Sequence, residues 1–424
     1  MKKNNINFFN ETLYTEKLDN GLEVYILPNE NVEDTFVSFT SRYGGANFSF
    51  MLNKKYVSKP NGIAHFLEHK MFEQKNGIDP FLFFGHSGTY CNAVTNYFNT
   101  SYIFAGNKNI NENINYLLDF VQSPYFTDEN VLKEKGIITE EIKMYEDMPD
   151  RVIYEKIIYN LFINHPVKYS IGGTVSDITN ITKKDLYDCY NTFYQPSNMF
   201  VTITGNVNID ECINLIKENQ DNKKLKDSNI KLKNIKEPNE VSIEEEIINY
   251  KVAIPYVAYG IKIPTKTFKN IDSKKLNMYI FTILNLLFDD TSIFYEEAKD
   301  EDIIDTPIEI ESLDTKEHKI FIFLFKSKKY RDVINKINIT LKNINISEEE
   351  LERKKKVYIS NMLFIFDNIS ESNRIIVNDI ILYDKFYYNI VDVIKDMNID
   401  ELNNIIKNIE INNKSILIIE DKNS

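Results

Sequence analysis

A polar run without aromatic residues, ENQDNKKLKDSNIKLKNIKEPNEVSIEEE at residues 218–246, divides this chain into two halves, each long enough to enclose its own core. The order of predicted elements repeats on its two sides. Before it come strands over Leu22–Leu27 and Thr35–Tyr43, punctuated by Gly21 and Gly44-Gly45. A helix follows across Gly62–Lys75, with Asn61 as its cap and Asn76-Gly77 as its stop. Strands Thr89–Thr95 and Ser101–Ala105 lead to helices Asn111–Gln122, Asp128–Glu146, Arg151–Phe162 and Lys183–Phe193, and strand Phe200–Thr204 closes the half. After the run come strand Val252–Ile263, helix Lys275–Phe288, strands near Ile303–Glu311 and Lys319–Phe325, helices Tyr330–Asn343 and Glu348–Tyr383, and strand Ser415–Glu420. Such repetition reads as the duplication of one unit. Strict strand–helix alternation is absent, so the fold class is α+β: two homologous sandwich domains of largely antiparallel sheet on helices, at 1–217 and 247–424, with 218–246 as linker. Twelve of the 13 glycines precede the linker and only Gly260 follows it, so the copies have diverged.

The net charge of −13 disfavours binding to nucleic acid, which needs a concentrated surplus of Lys and Arg. The three cysteines, Cys91, Cys189 and Cys212, are odd in number and form no CxxC pair, which argues against a disulfide framework and suits a reducing cytoplasm. No stretch approaches the roughly 18 apolar residues of a membrane helix, and the first 20 residues lack the apolar core of a signal peptide, so neither export nor anchoring is expected.

Chemistry concentrates in Gly62-Ile-Ala-His65-Phe-Leu-Glu68-His69-Lys-Met-Phe72. On a helix, positions i and i+4 share a face, so both imidazoles can reach one ion, while Glu68 sits beside them, able to hold a water without ligating. A zinc hydrolase needs that arrangement: the metal polarises a carbonyl and acidifies water, and the carboxylate carries the proton to the leaving amine. With five histidines in the chain, the pattern arises by accident in about one of several hundred sequences of this length. The bland alternative is two histidines on a solvent-facing helix.

A third donor is available on DENVLKEKGIITEEIKMYED, where Glu134, Ile138, Glu141 and Tyr145 fall on one face. Two carboxylates on the inward stripe of a helix are costly unless something positive meets them. Glu141 as metal ligand and Glu134 as a catalytic-site carboxylate orienting a ligand histidine complete a His2Glu site with an open fourth position. Otherwise the helix is a solvated face on which Lys133, Lys135 and Lys143 offset the acids.

These segments resemble the pitrilysin and insulinase group of inverted-motif zinc peptidases. The likeness is carried by GIAHFLEH, by EKGIITEEIKMYEDMP with its Glu134 and Glu141, by NAVTNYFNTSYIF (Asn92–Phe104), by HPVKYSIGGTVSDITNIT (His165–Thr182) and by YQPSNMFVTITGNV (Tyr194–Val207). In length the chain is similar to the small two-domain branch, that of mitochondrial processing peptidase subunits and bacterial YmfH-like proteins. The resemblance implies one zinc per chain and half of a peptidase chamber. It also implies an edge strand on which Asn92, Ala93 and Val94 bind an extended peptide by strand addition; without it, Asn92 is a polar residue near a turn. Self-sufficient members carry an Arg and a Tyr seven residues apart in the second domain, and TSIFYEEAKDEDIID places Ala298 and Asp305 there instead. A homologous partner subunit supplying that pair, rather than a homodimer, is therefore implied.

The remaining histidines read as structural: His86 in a loop, His165 as an imidazolium at a helix C-terminus, and His318 exposed at a strand start. The function expected is a cytoplasmic zinc endopeptidase for short or unfolded peptides. Its alternatives are a maturation protease removing leader peptides from small modified peptides and a non-catalytic, peptide-binding or regulatory subunit.

Overall fold

The computed structural model describes residues 1–221, 223 and 229–421; the middle of the expected linker, at 222 and 224–228, lies outside the described residues. The fold is α+β, and the chain forms two compact units, neither of which is one contiguous stretch.

The first unit comprises residues 1–142, 169–234 and 362–389. Its strands are β1 (Lys2–Ile6), β2 (Glu11–Lys17), β3 (Glu23–Pro28), β4 (Thr35–Ser41), the small hairpin β5 (Ser49–Leu52) and β6 (Lys55–Ser58), β7 (Tyr90–Thr95), β8 (Thr100–Gly106) and β9 (Met199–Gly205). Seven of them form one sheet in the order β1-β2-β3-β9-β4-β8-β7, antiparallel except where β3 meets β9. Side chains alternate across it. Val37, Phe39, Tyr102, Phe104, Val201 and Ile203 join a core with helices α1 (Ile63–Met71), α2 (Pro80–His86), α3 (Ile110–Val121) and α4 (Asp128–Glu146). The opposite face of β4 and β9 carries Ser38, Thr40, Thr202 and Thr204 together with Phe200, and is covered by the helix Ile369–Tyr383, drawn from far along the chain, whose Ile376 and Ile380 share an apolar cluster with Phe200. There Asn373 accepts from Ser38 at 2.7 Å and donates to the Thr202 carbonyl at 3.1 Å, which pairs both ends of its buried amide.

The second unit comprises residues 143–168, 235–361 and 390–424. Strands β10 (Glu245–Asn249), β11 (Tyr256–Pro264), β12 (Glu309–Asp314), β13 (His318–Lys326) and β14 (Lys414–Glu420) run in the order β10-β14-β11-β13-β12. The helix Pro149–Leu161 packs on β11 and β14. Gly260 is the one glycine of the second half because this helix comes close: a Cβ there would lie 2.7 Å from Leu161 Cδ1 and 3.2 Å from Ile157 Cγ1.

Several sequence expectations change. The contiguous division at 217 and 247 does not coincide with the compact units, because each includes a helix from the other half of the chain. Glu237, inside the expected linker, is buried; its carboxylate pairs with Lys262 and accepts from the backbone N–H groups of Ile163, Asn164 and His165 at 2.7–2.9 Å. The helix begun after Gly62 ends at Met71, and Gly62 rather than Asn61 occupies its N-cap. The long helix 348–383 is two, Glu348–Asp367 and Ile369–Tyr383, broken at Asn368, whose side chain caps the second. Residues 303–308 precede the strand β12 rather than belonging to it. His86 ends α2 instead of lying in a loop. His318 does begin β13 but is 2% exposed, and burial pushes it down to about 4. Burial likewise pushes His165 down to about 4, so it is a neutral imidazole and not a dipole-stabilised cation.

Candidate metal centre

The helix α1 buries Ile63, Ala64, Phe66, Leu67 and Met71 and leaves His65 and His69 half-buried on its remaining stripe. Its start is fixed by a backbone crossing. Gly62 has φ +79°, and a Cβ there would sit 2.3 Å from the Gly172 carbonyl oxygen; a Cβ on Gly173 would sit 2.6 Å from that of Asn61. Only glycine permits both the left-handed turn and this approach.

On α4, Val131, Glu134, Ile138, Glu141 and Ile142 turn toward the unit, which brings the two carboxylates against α1. Glu141 lies between the two rings: Oε1 is 3.7 Å from His65 Nε2 and Oε2 is 3.5 Å from His69 Nε2. A tetrahedral zinc ion about 2.0–2.1 Å from each donor places its donors roughly 3.3 Å apart, so this set fits. Among the described residues, His65, His69 and Glu141 are also the one group of three that could hold a metal.

Glu134 stands behind His69, its Oε1 accepting from Nδ1 at 3.1 Å. That bond leaves Nε2 free to coordinate. Glu68 is 8% exposed, and its Oε2 accepts from the Thr95 hydroxyl at 2.6 Å. Burial raises the Glu68 carboxyl above the usual range, against the opposing pull of Thr95 and His69. For His69 burial works against the charge, but Glu134, Glu68 and Glu141 outweigh it and the imidazole is raised.

Thr95 ends β7, the terminal strand of the sheet. Along it Cys91 and Thr95 turn inward, whereas Tyr90, Asn92 and Val94 are exposed and Ala93 is half-buried. The Asn92 side chain donates to the Tyr90 hydroxyl at 2.6 Å and accepts from the Ala93 N–H at 2.8 Å. That residue therefore occupies a donor on the free edge, which blunts it against casual pairing. Two contributors escaped the sequence reading. Thr95 reveals itself only through the pairing of β7 with β8, and Lys70, fully buried beside Glu134, follows His69 in a sequence that does not announce the burial of a lysine.

Residues 57–175 match the family described as insulinase, peptidase family M16, and residues 180–358 match its peptidase M16 inactive domain. A Bacillus subtilis protein carrying the name uncharacterized zinc protease YmfH is 43% identical over 300 residues, 70% of this chain and 69% of that one. The chain belongs to the insulinase family of peptidases, M16. Human mitochondrial-processing peptidase subunit beta is 28% identical over 163 residues, 38% of this chain and 33% of that subunit. The crystal structure of a protein described as M16-like peptidase from Alicyclobacillus acidocaldarius superposes with a TM-score of 0.91 at 30% identity, covering 96% of this chain and 98% of that one. The resemblance drawn from the motifs therefore holds, as does the α+β fold with two M16-like domains. Relatives named as zinc proteases make zinc the metal this M16 donor set implies.

Proposed function

We propose that this M16 chain is the zinc-binding catalytic subunit of an endopeptidase, with His65, His69 and Glu141 as ligands. The observation that carries the reading is the convergence of two Nε2 atoms and one carboxylate within a zinc ion's span. Zinc bound there supplies Lewis acidity toward a peptide carbonyl and acidifies water. Glu68, beside the pair and anchored through one oxygen, takes the proton of the attacking water and passes it to the leaving amine. Glu134 holds the His69 ring in its coordinating orientation. The scissile peptide lies extended on the free edge of β7 and displaces the Asn92 amide from the Ala93 N–H; Asn92, Ala93 and Val94 form its seat. Substrates are short or unfolded chains able to enter an enclosed chamber in extended form.

A homologous subunit completes the enzyme. Ala298, at one of the positions where self-sufficient relatives place the Arg and Tyr, is fully buried on the helix Ile293–Asp300, and Asp305 is an exposed carboxylate. Neither can replace those contacts. Light scattering combined with activity across the fractions tests this, and a fully active monomer would overturn it. The catalytic assignment is tested by Glu68→Gln, which should retain one zinc per chain and lose cleavage of a quenched peptide library. Unchanged turnover refutes the base.

A further inference from the structure

We propose that Lys70 is a positioning residue for the metal-binding histidine pair, holding the Glu134 carboxylate so that Glu134 in turn holds the ring of His69; this rests on the zinc reading above. Lys70 directly follows His69 in α1, yet its side chain has no exposure to solvent. The rest of the buried surface of this helix is apolar apart from Glu68. A buried ammonium costs several kcal/mol unless it is paired, so an apolar side chain would be the stable choice if packing were the only demand. Instead its Nζ donates to Glu73 and, at 3.4 Å, to Oε2 of Glu134.

The consequence lies in how Glu134 is used. Its Oε1 accepts from His69 Nδ1 at 3.1 Å and its Oε2 faces Lys70, so the carboxylate is gripped at both ends. A carboxylate held only by the imidazole could rotate about its last side-chain bonds and carry the ring with it. Held from both sides it keeps the His69 Nε2 aimed at Glu141, 3.5 Å away. Residues of this kind, one bond removed from a ligand, typically change metal affinity by about 10- to 100-fold.

A second effect of Lys70 has the opposite sign, which makes the proposal decidable. A cation near the site repels a dication, so if Lys70 acted only through its charge, removing it would tighten zinc binding. The experiment is zinc affinity by competition with a chromophoric chelator on the full chain, for wild type, Lys70→Met, Glu134→Ala and the double variant. Lys70→Gln serves as a smaller replacement should methionine prevent folding, and the visible absorption of the cobalt(II)-loaded proteins reports ligand geometry without reference to turnover. We expect Lys70→Met or Lys70→Gln to weaken zinc by about 10-fold or more with an altered cobalt spectrum. In the Glu134→Ala background the same change should have no further effect. Tighter or unchanged binding in the single variants overturns the proposal, as does a loss of the same size with Glu134 absent. A wild-type chain that binds no zinc sinks the metal reading itself, and this inference with it.

Discussion

Replacing Thr95 by valine removes one hydroxyl and almost no volume, and it isolates what holds the candidate base in place. The bond from Thr95 Oγ1 to Glu68 Oε2 is 2.6 Å long, and both residues are 8% exposed. A buried hydrogen bond to a charged acceptor contributes about 1.5–3 kcal/mol. Thr100 Oγ1 lies 3.3 Å from the same hydroxyl but gives its own proton to the Tyr43 carbonyl, so the Thr95 proton goes to Glu68 alone. If that energy keeps the carboxylate in its reactive orientation, its loss slows turnover by roughly 10- to 150-fold, at about 1.4 kcal/mol per factor of ten. Because Thr95 makes no hydrogen bond to any of the three donors of the metal set, zinc content should stay at the wild-type level and KM should change little. The assay is kcat and KM on a quenched peptide in the assembly that cleaves, with metal analysis of the same samples. Thr95→Ser restores the hydroxyl and should recover most of the rate. Wild-type kcat in the valine variant at full zinc, or a serine variant as slow as valine, would refute the reasoning.

The second unit should lose stability on mild acidification. His318 is 2% exposed and, pushed down to about 4 by burial, stays neutral in the fold with Lys262, Glu237, His165 and Lys266 around it, while the unfolded chain takes up a proton near 6.5. The unfolded state thus binds more protons between those values, and stability present above pH 6.5 falls by up to about 3 kcal/mol for this histidine as pH drops to 4. Urea midpoints measured from pH 7 to 4.5 should decline, and less steeply in His318→Gln; an identical slope in the variant counts against the assignment. Gly62→Ala should cost more than Gly77→Ala. Both positions have positive φ, worth about 1–2 kcal/mol against alanine, but only at Gly62 does the added carbon meet a backbone oxygen, at 2.3 Å, whereas nothing lies within 4 Å at Gly77. Equal losses in Tm would contradict the crossing with Gly172.

The grouping of His65, His69 and Glu141 was legible in the sequence because the pattern behind it is local. Three of the five key residues sit within one turn and a half of helix, and the other two share a face of α4, whose limits Asp128–Glu146 were predicted without error. Helical periodicity needs no knowledge of the rest of the chain. What escaped depends on distant partners. Strands β1 and β2 carry mixed polar residues and make sense only as rungs beside β3, and the helix Ile369–Tyr383 belongs to the first unit for contacts that no local pattern announces. His318 looked exposed because a histidine at a strand start usually is; it is buried, with Asn239 of the segment read as linker 3.3 Å from its Nε2.

The strand β7 joins the two parts of the proposed chemistry. Its pleat turns Asn92 and Val94 outward and Thr95 inward, and its register sets Asn92 against Ile103 and Thr95 against Thr100. A slip of one residue would exchange the faces. The edge amides offered to a peptide and the hydroxyl that restrains Glu68 would then be lost together. In the proposed mechanism, seating of substrate and orientation of the base are thus two consequences of one strand alignment, and a peptide that distorts β7 on binding should disturb the base as well. Selection among substrates at this M16 edge should therefore register in kcat as much as in KM, because a poorly fitting chain strains the same residues that hold Glu68.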